Sequence, residues 1–156
     1  MEAGWQPIAV LDANLQKILG GETIEHALLV LAEVVAHATM LRSTGALHSW
    51  QATLARYPER LQHRLIDSTI AQWTSPYTVI TRWSPIHREQ PLTLAEDLVR
   101  EVQSALRLLF ALNQEWEPYW KWIAALSARL TRQPDQLIAW ITSIFSEAPA
   151  RERLRI

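Results

Sequence analysis

An all-α fold, a single-domain bundle of about six or seven helices over residues 1–156, is predicted by three features of the sequence. Glycine is scarce: Gly4, Gly20 and Gly21 lie near the start and Gly45 is the only other, so tight hairpin turns have few places to form. Eight prolines punctuate the chain as corners, and between them apolar residues recur every three or four positions, the period of a helix with one buried face. With 156 residues, 49% apolar and 20% charged, the chain has the size of one domain and enough apolar surface for a packed core.

The first helix lies after Pro7, where Ile8, Leu11, Leu15, Ile18 and Leu19 share a face, and Gly20-Gly21 supplies a left-handed stop. Thr23 is placed to cap a second helix running to about Arg42 and ended by Gly45. Its inward face is read as Leu28, Leu31, Val34, Val35, Ala38 and Leu41, and apolar residues run nearly all round it, which makes it central. Leu47, Trp50 and Leu54 mark a short third helix. Pro58 fits the first turn of a fourth, which carries Leu61, Leu65, Ile66, Ile70 and Trp73. From 75 to 91 the β-branched run Tyr77–Thr81 competes with the helix start Ser75-Pro76, and the stretch reads as a short helix plus loop. Thr93-Leu94-Ala95-Glu96 has the form of a capping box, opening a long helix with Leu98, Val102, Ala105, Leu106, Leu109 and Phe110 that runs to about Asn113. Pro118 is expected to open a helix with Tyr119, Trp122, Ile123 and Leu126 facing inward. Pro134-Asp135 opens another with Leu137, Ile138, Ile141, Ile144 and Phe145, which Pro149 ends; the tail 149–156 is expected to fray.

Charge and composition narrow the function classes. Fifteen basic against sixteen acidic residues give a net charge of −1, which disfavours nucleic acid as the main partner. The chain has no cysteine, which excludes disulfides, thiolate metal sites and a cysteine nucleophile. Met1–Trp5 lacks the basic-then-apolar order of a signal peptide, and the apolar stretch Ala27–Ala36 is short and broken by Glu33, so a cytoplasmic protein with no membrane partner is expected. No phosphate loop, dinucleotide fingerprint or nucleophile elbow occurs, and neither a cofactor nor a catalytic constellation is expected. His26 and His37 are three helical turns apart, about 16 Å, too far for one ion. Arg56 and His63 have the loose spacing of some helical-bundle ribonucleases, in which Arg holds phosphate and His moves a proton; that is a minor reading, because Tyr57-Pro58 lies between them.

The segment Asn113–Trp122 (Asn-Gln-Glu-Trp-Glu-Pro-Tyr-Trp-Lys-Trp) differs from a plain helix junction. It gathers three of the eight tryptophans, two carboxylates and one of only two lysines. Lys121, between two indoles, is suited to stack on an aromatic ring or to reach an anion at a cleft edge. Glu117 reads either as a site residue or as a carboxylate neutralising the dipole of the Pro118 helix; Glu115 and Glu117 converge only if the segment is a loop.

These residues carry a resemblance. Arg88, the helix ending Leu109-Phe110-Ala111-Leu112-Asn113, and Pro118-Tyr119-Trp120-Lys121-Trp122 resemble the C-terminal helical part of a bacterial nucleotidyltransferase-like family, domain of unknown function 4037; Gly45-Ala46-Leu47 and Tyr57-Pro58 look similar too. The resemblance spans about 24–147 and is specific around 106–122. It implies an accessory or substrate-binding helical domain that is not catalytic by itself, since the Gly-Ser turn and Asp-x-Asp metal pair of such enzymes do not occur here. It further implies a nucleotidyltransferase domain on another chain or missing from this one, and an anionic small molecule as ligand. Arg88, Asn113, Tyr119, Lys121 and Trp122 become the candidate ligand-binding residues: Lys121 for the anion, Tyr119 and Trp122 as pocket wall, Asn113 as a helix-end hydrogen bond. Arg88 departs from the pattern, because the acidic residue that often comes after it in the family falls at Glu89. The alternative is a helical protein–protein interaction module or degenerate homologue, with a homodimer as one form, in which the same aromatics bind a partner chain.

Overall fold

A computed structural model of the chain describes residues 7–39, 45–78, 84–85, 88 and 90–146. Helices dominate, and no strand occurs among the described residues. The order is α1 (Ile8–Leu19), α2 (His26–His37), α3 (Ala46–Leu54), α4 (Glu59–Thr74), α5 (Pro91–Leu112), a 3₁₀ turn (Trp120–Trp122), α6 (Ile123–Ser127) and α7 (Leu137–Ser146). Helix α1 packs on α2, α2 on α3, and α4 on α5. Leu15 and Ile18, Leu29, Ala32 and Val35, Leu54, Leu61 and Leu65, Ala111 and Trp116 are buried together as one core, so five helices and one loop tryptophan share it.

The helix ends are fixed by identifiable hydrogen bonds. At the end of α1 the Gly21 N–H donates to Ile18 O and the Glu22 N–H to Lys17 O, with Gly21 at φ +67°, the paired bonds of a Schellman stop. Helix α5 ends the same way without glycine: the Gln114 N–H donates to Ala111 O and the Glu115 N–H to Phe110 O, with Gln114 at φ +57°. Two glutamines from other helices satisfy further end carbonyls. Gln51 Nε2 on α3 donates to Val35 O and Ala38 O at the end of α2, and Gln62 Nε2 on α4 donates to Ala111 O at the end of α5.

Several expectations are corrected. Helix α2 starts at His26 rather than at Thr23, whose hydroxyl oxygen accepts the Glu25 N–H in a turn ahead of it, and it ends at His37. The early end comes from the Gln51 amide, which takes up carbonyls that another helical turn would have used. Its buried face is Leu29, Ala32 and Val35, and Val34 is exposed. Gly45 lies at φ +86° as the cap before α3. Helix α5 begins at Pro91, so Thr93 sits inside its first turn and does not cap it; proline, with φ already set and no N–H to lose, takes the opening position. The largest correction concerns Pro118. No helix opens there: residues 115–119 are non-helical, and helical structure resumes only at Trp120. Leu41 and Arg42, the run 79–81, and the tail 149–156 with Pro149 lie outside the described residues. No helix among those described is long and apolar enough to cross a membrane.

Candidate functional site

The segment 113–122 is anchored by a buried charge. Glu117 is 4% exposed, held between two elements remote from it. The Arg107 Nε–H on α5 donates to its Oε2 at 3.0 Å, and His26 Nδ1, on the first residue of α2, lies 2.9 Å from its Oε1. A carboxylate can only accept, so Nδ1 of His26 carries the proton. The His26 ring in turn stacks on Trp120, with centroids 4.9 Å apart. Burying a carboxylate is costly unless its oxygens are paired, and here each has a donor. Beside it Pro118 is fully buried, and Trp116, 6% exposed, donates its indole N–H to Leu54 O at 2.9 Å and lies against the Tyr57 ring. Burial, reinforced by the Glu117 carboxylate and opposed by Arg107, holds the Tyr57 phenol far above its ordinary range. Tyr57 therefore stays neutral. Three consecutive residues, Trp116, Glu117 and Pro118, are locked into the body of the protein, which is why the backbone cannot coil into a helix there.

Of the next four residues Trp120 stays against His26 and the other three turn outward. Tyr119 and Trp122 are 52% and 53% exposed, contrary to the inward face expected of a Pro118 helix, and Lys121 is exposed between them. The Lys121 ammonium lies 5.6 Å from the Tyr119 ring centroid and 5.4 Å from that of Trp122. Asn113 is placed elsewhere. Its Nδ2 donates to Leu109 O and to Arg132 O, and its Oδ1 accepts the Arg132 N–H, all at 2.8 Å, so it clips the end of α5 to the loop before α7. Arg88 is an exposed turn residue, and no hydrogen bond or ion pair among the described residues joins it to 113–122. The structure thus brings Tyr119, Lys121 and Trp122 together and leaves Asn113 and Arg88 apart from them.

Two clefts adjoin the segment and share His37, Glu115 and Trp116 as a wall. The larger, of about 390 Å³, is completed by Glu33, Phe110, Leu126, Arg129 and Leu130. The smaller, about 200 Å³, continues past Gln114 and Tyr57 to Gln51. A third, of about 570 Å³, holds Arg56, Glu59, Gln62 and Gln114. Glu115 and Glu117 part company, the first on a cleft and the second in the buried pair. Arg56 and His63 also separate: Arg56 precedes α4 and lines the third cleft, while His63 lines a shallow depression with Arg60, Arg64 and Asp67. Among the described residues no three His, Asp or Glu side chains converge to hold a metal ion.

Burial raises the Glu33 carboxyl above the usual range, with His37, 3.5 Å away, pulling the other way. The folded chain binds a proton at Glu33 more tightly than the unfolded chain does. This group's stabilising contribution is therefore complete below the unfolded carboxylate range and is lost as pH rises through the raised folded value. Glu33→Gln is expected to raise the melting temperature at neutral pH, and the gain should fade as both proteins are melted at pH values down to about 4. A gain that persists or grows on acidification would contradict this.

The Arg107–Glu117–His26 knot is what sequence reasoning misses or, for Glu117, leaves as an alternative, whereas it names Tyr119, Lys121 and Trp122. One trace was available: an acidic residue between Trp116 and Pro118, both of which bury well, is carried inward with them. Residues 24–123 match the family model described as Domain of unknown function (DUF4037). The chain belongs to this family. The DUF4037 span takes in α2 through α5, every member of the knot, and Tyr119, Lys121 and Trp122; α1 and α7 lie outside it. No curated protein and no solved structure matches the chain.

Proposed function

We propose that this chain is an accessory, substrate-binding helical domain that works with a nucleotidyltransferase domain and receives an anionic ligand on the Tyr119–Lys121–Trp122 platform. The observation that carries the reading is Lys121 itself: an exposed ammonium held over two half-exposed rings, on a backbone fixed from beneath by Glu117 and Pro118. A cation over an aromatic face is positioned without being neutralised, so it keeps its charge for a phosphate or carboxylate. The outer faces of Tyr119 and Trp122 offer stacking to a flat ring. Preorganisation comes from the knot, since a platform that is already rigid loses little entropy when it binds. The resemblance of Arg88, Leu109–Asn113 and Pro118–Trp122 to a nucleotidyltransferase-like family supports a nucleotide as the first probe. In this reading the chain holds the ligand and the other domain supplies the metal-bound carboxylates that nucleotidyl transfer requires.

Titration of the chain with ATP, followed by tryptophan fluorescence, is the test. Saturable quenching is expected. Lys121→Ala should weaken it about tenfold or more, as loss of a charge-assisted contact does, while stability stays within about 0.5 kcal/mol of the parent. Unchanged affinity in the variant, or a variant that unfolds, would remove Lys121 from this role.

A second reading, the protein–protein interaction module, is favoured by one observation. Seven of the ten residues of helix α7 are apolar, yet Trp140 is 55% exposed and no residue of α7 with a described side chain is fully buried. Such a face suits a partner chain. Sedimentation over a wide concentration range separates the readings: a dimer that dissociates on dilution and is abolished by Trp140→Asp supports the module, and a monomer whose fluorescence responds to ATP supports the platform.

A further inference from the structure

The cleft of about 390 Å³ carries opposite charges that do not pair with each other. Glu115 and Arg129 both line it and both are exposed, yet neither side chain has an ion-pair or hydrogen-bond partner among the described residues, including each other. The same cleft is lined by apolar side chains, Phe110, Trp116 and Leu126 among them. Glu33, on the same cleft, adds a second carboxylate, partly covered and shared with His37. A purely cationic ligand would meet Arg129 with repulsion, and a purely anionic one would meet Glu115 and Glu33. Only a molecule bearing both signs satisfies the cleft. The volume is that of a small-molecule site, and the aromatic and leucine walls suit a short hydrocarbon body.

We infer that this cleft is a binding site for a small zwitterion with an apolar body, of the class of an apolar α-amino acid, with the ammonium taken by Glu115 and Glu33 and the carboxylate by Arg129. The site is separate from the Lys121 platform and does not depend on its reading. Trp116 gives it a rigid floor, since the indole is fixed by its bond to Leu54 O. Leu126, Arg129 and Leu130 lie beyond the DUF4037 span, so the site belongs to this chain rather than to the matched segment as such.

The experiment uses the full chain. Saturation-transfer NMR with each of the standard L-amino acids is expected to give signals from apolar ones, leucine among them, and calorimetry then measures leucine against isoamylamine, which lacks the carboxylate, and isocaproate, which lacks the ammonium. Both analogues should bind at least about tenfold more weakly than leucine, and Glu115→Gln and Arg129→Gln should each weaken leucine to a similar degree. Because both residues are exposed, neither substitution should lower the melting temperature, and the analogue comparison stands on the parent protein alone. No binding of any amino acid at about 10 mM, an analogue that binds as well as leucine, or leucine affinity untouched by both substitutions would overturn the assignment.

Discussion

Arg107→Ala is expected to destabilise the protein by about 3–5 kcal/mol, a large part of the total stability of an ordinary domain. The substitution leaves the Glu117 carboxylate, 4% exposed, with His26 as its remaining donor. A chain of this length should lose about 10 °C in melting temperature. The opposite deletion should be milder. In Glu117→Ala the group left behind is Arg107, a quarter of whose side chain already reaches solvent and can recruit water. The double variant Arg107→Met with Glu117→Gln should recover much of the loss, since removing both charges spares the fold an unpaired buried ion. Urea denaturation of the three variants checks this order. A loss below about 1 kcal/mol in Arg107→Ala would mean that the pair is not what fixes the segment.

Trp116→Ala should cost as much, about 3–5 kcal/mol, for a different reason. The indole is 6% exposed, belongs to the same core as Leu15 and Leu61, and lies with its ring centroid 4.8 Å from that of Tyr57. Truncation opens a cavity that the α-helices around it cannot close, because their own ends are clamped by Gln51 and Gln62. Trp116→Phe divides the effect. It keeps most of the ring and leaves the Leu54 carbonyl without its donor, at an expected cost of about 1–3 kcal/mol. If phenylalanine proves as harmful as alanine, the hydrogen bond rather than the packing carries the residue's contribution.

The parts of this architecture written locally were legible in the sequence. Gly20-Gly21 ends α1, with Gly21 taking the left-handed conformation, Leu47, Trp50 and Leu54 mark α3, and the long apolar stripe of α5 gives its extent to Leu112. The end of α2 was not legible, because what ends it is an amide from α3, 13 and 16 residues away. The Pro118 helix failed on tertiary grounds: proline is a good helix opener, but burial of Glu117 against partners 10 and 91 residues distant holds the backbone extended. That error turned Tyr119 and Trp122 the wrong way. Lys121 was read as lying against aromatic rings, and its ammonium lies over those of Tyr119 and Trp122, which the 3₁₀ turn Trp120–Trp122 brings within reach of it. Arg129 drew no attention because the cleft it shares with Glu115 is assembled from α2, α5 and residues 126–130, a grouping the sequence order does not display.

Under the proposed function the segment 113–122 divides its labour: Trp116 and Glu117, both buried, hold the structure, and the exposed Tyr119, Lys121 and Trp122 are assigned to the ligand. The indole N–H resonances test this division directly, since the chain has eight tryptophans, each assignable by replacement with phenylalanine. In a ¹⁵N-labelled sample titrated with ATP, the Trp122 resonance is expected to move progressively with ligand concentration while that of Trp116, bonded to the Leu54 carbonyl, stays in place. A stationary Trp122 resonance, or a Trp116 resonance that moves as far as it does, would contradict the division.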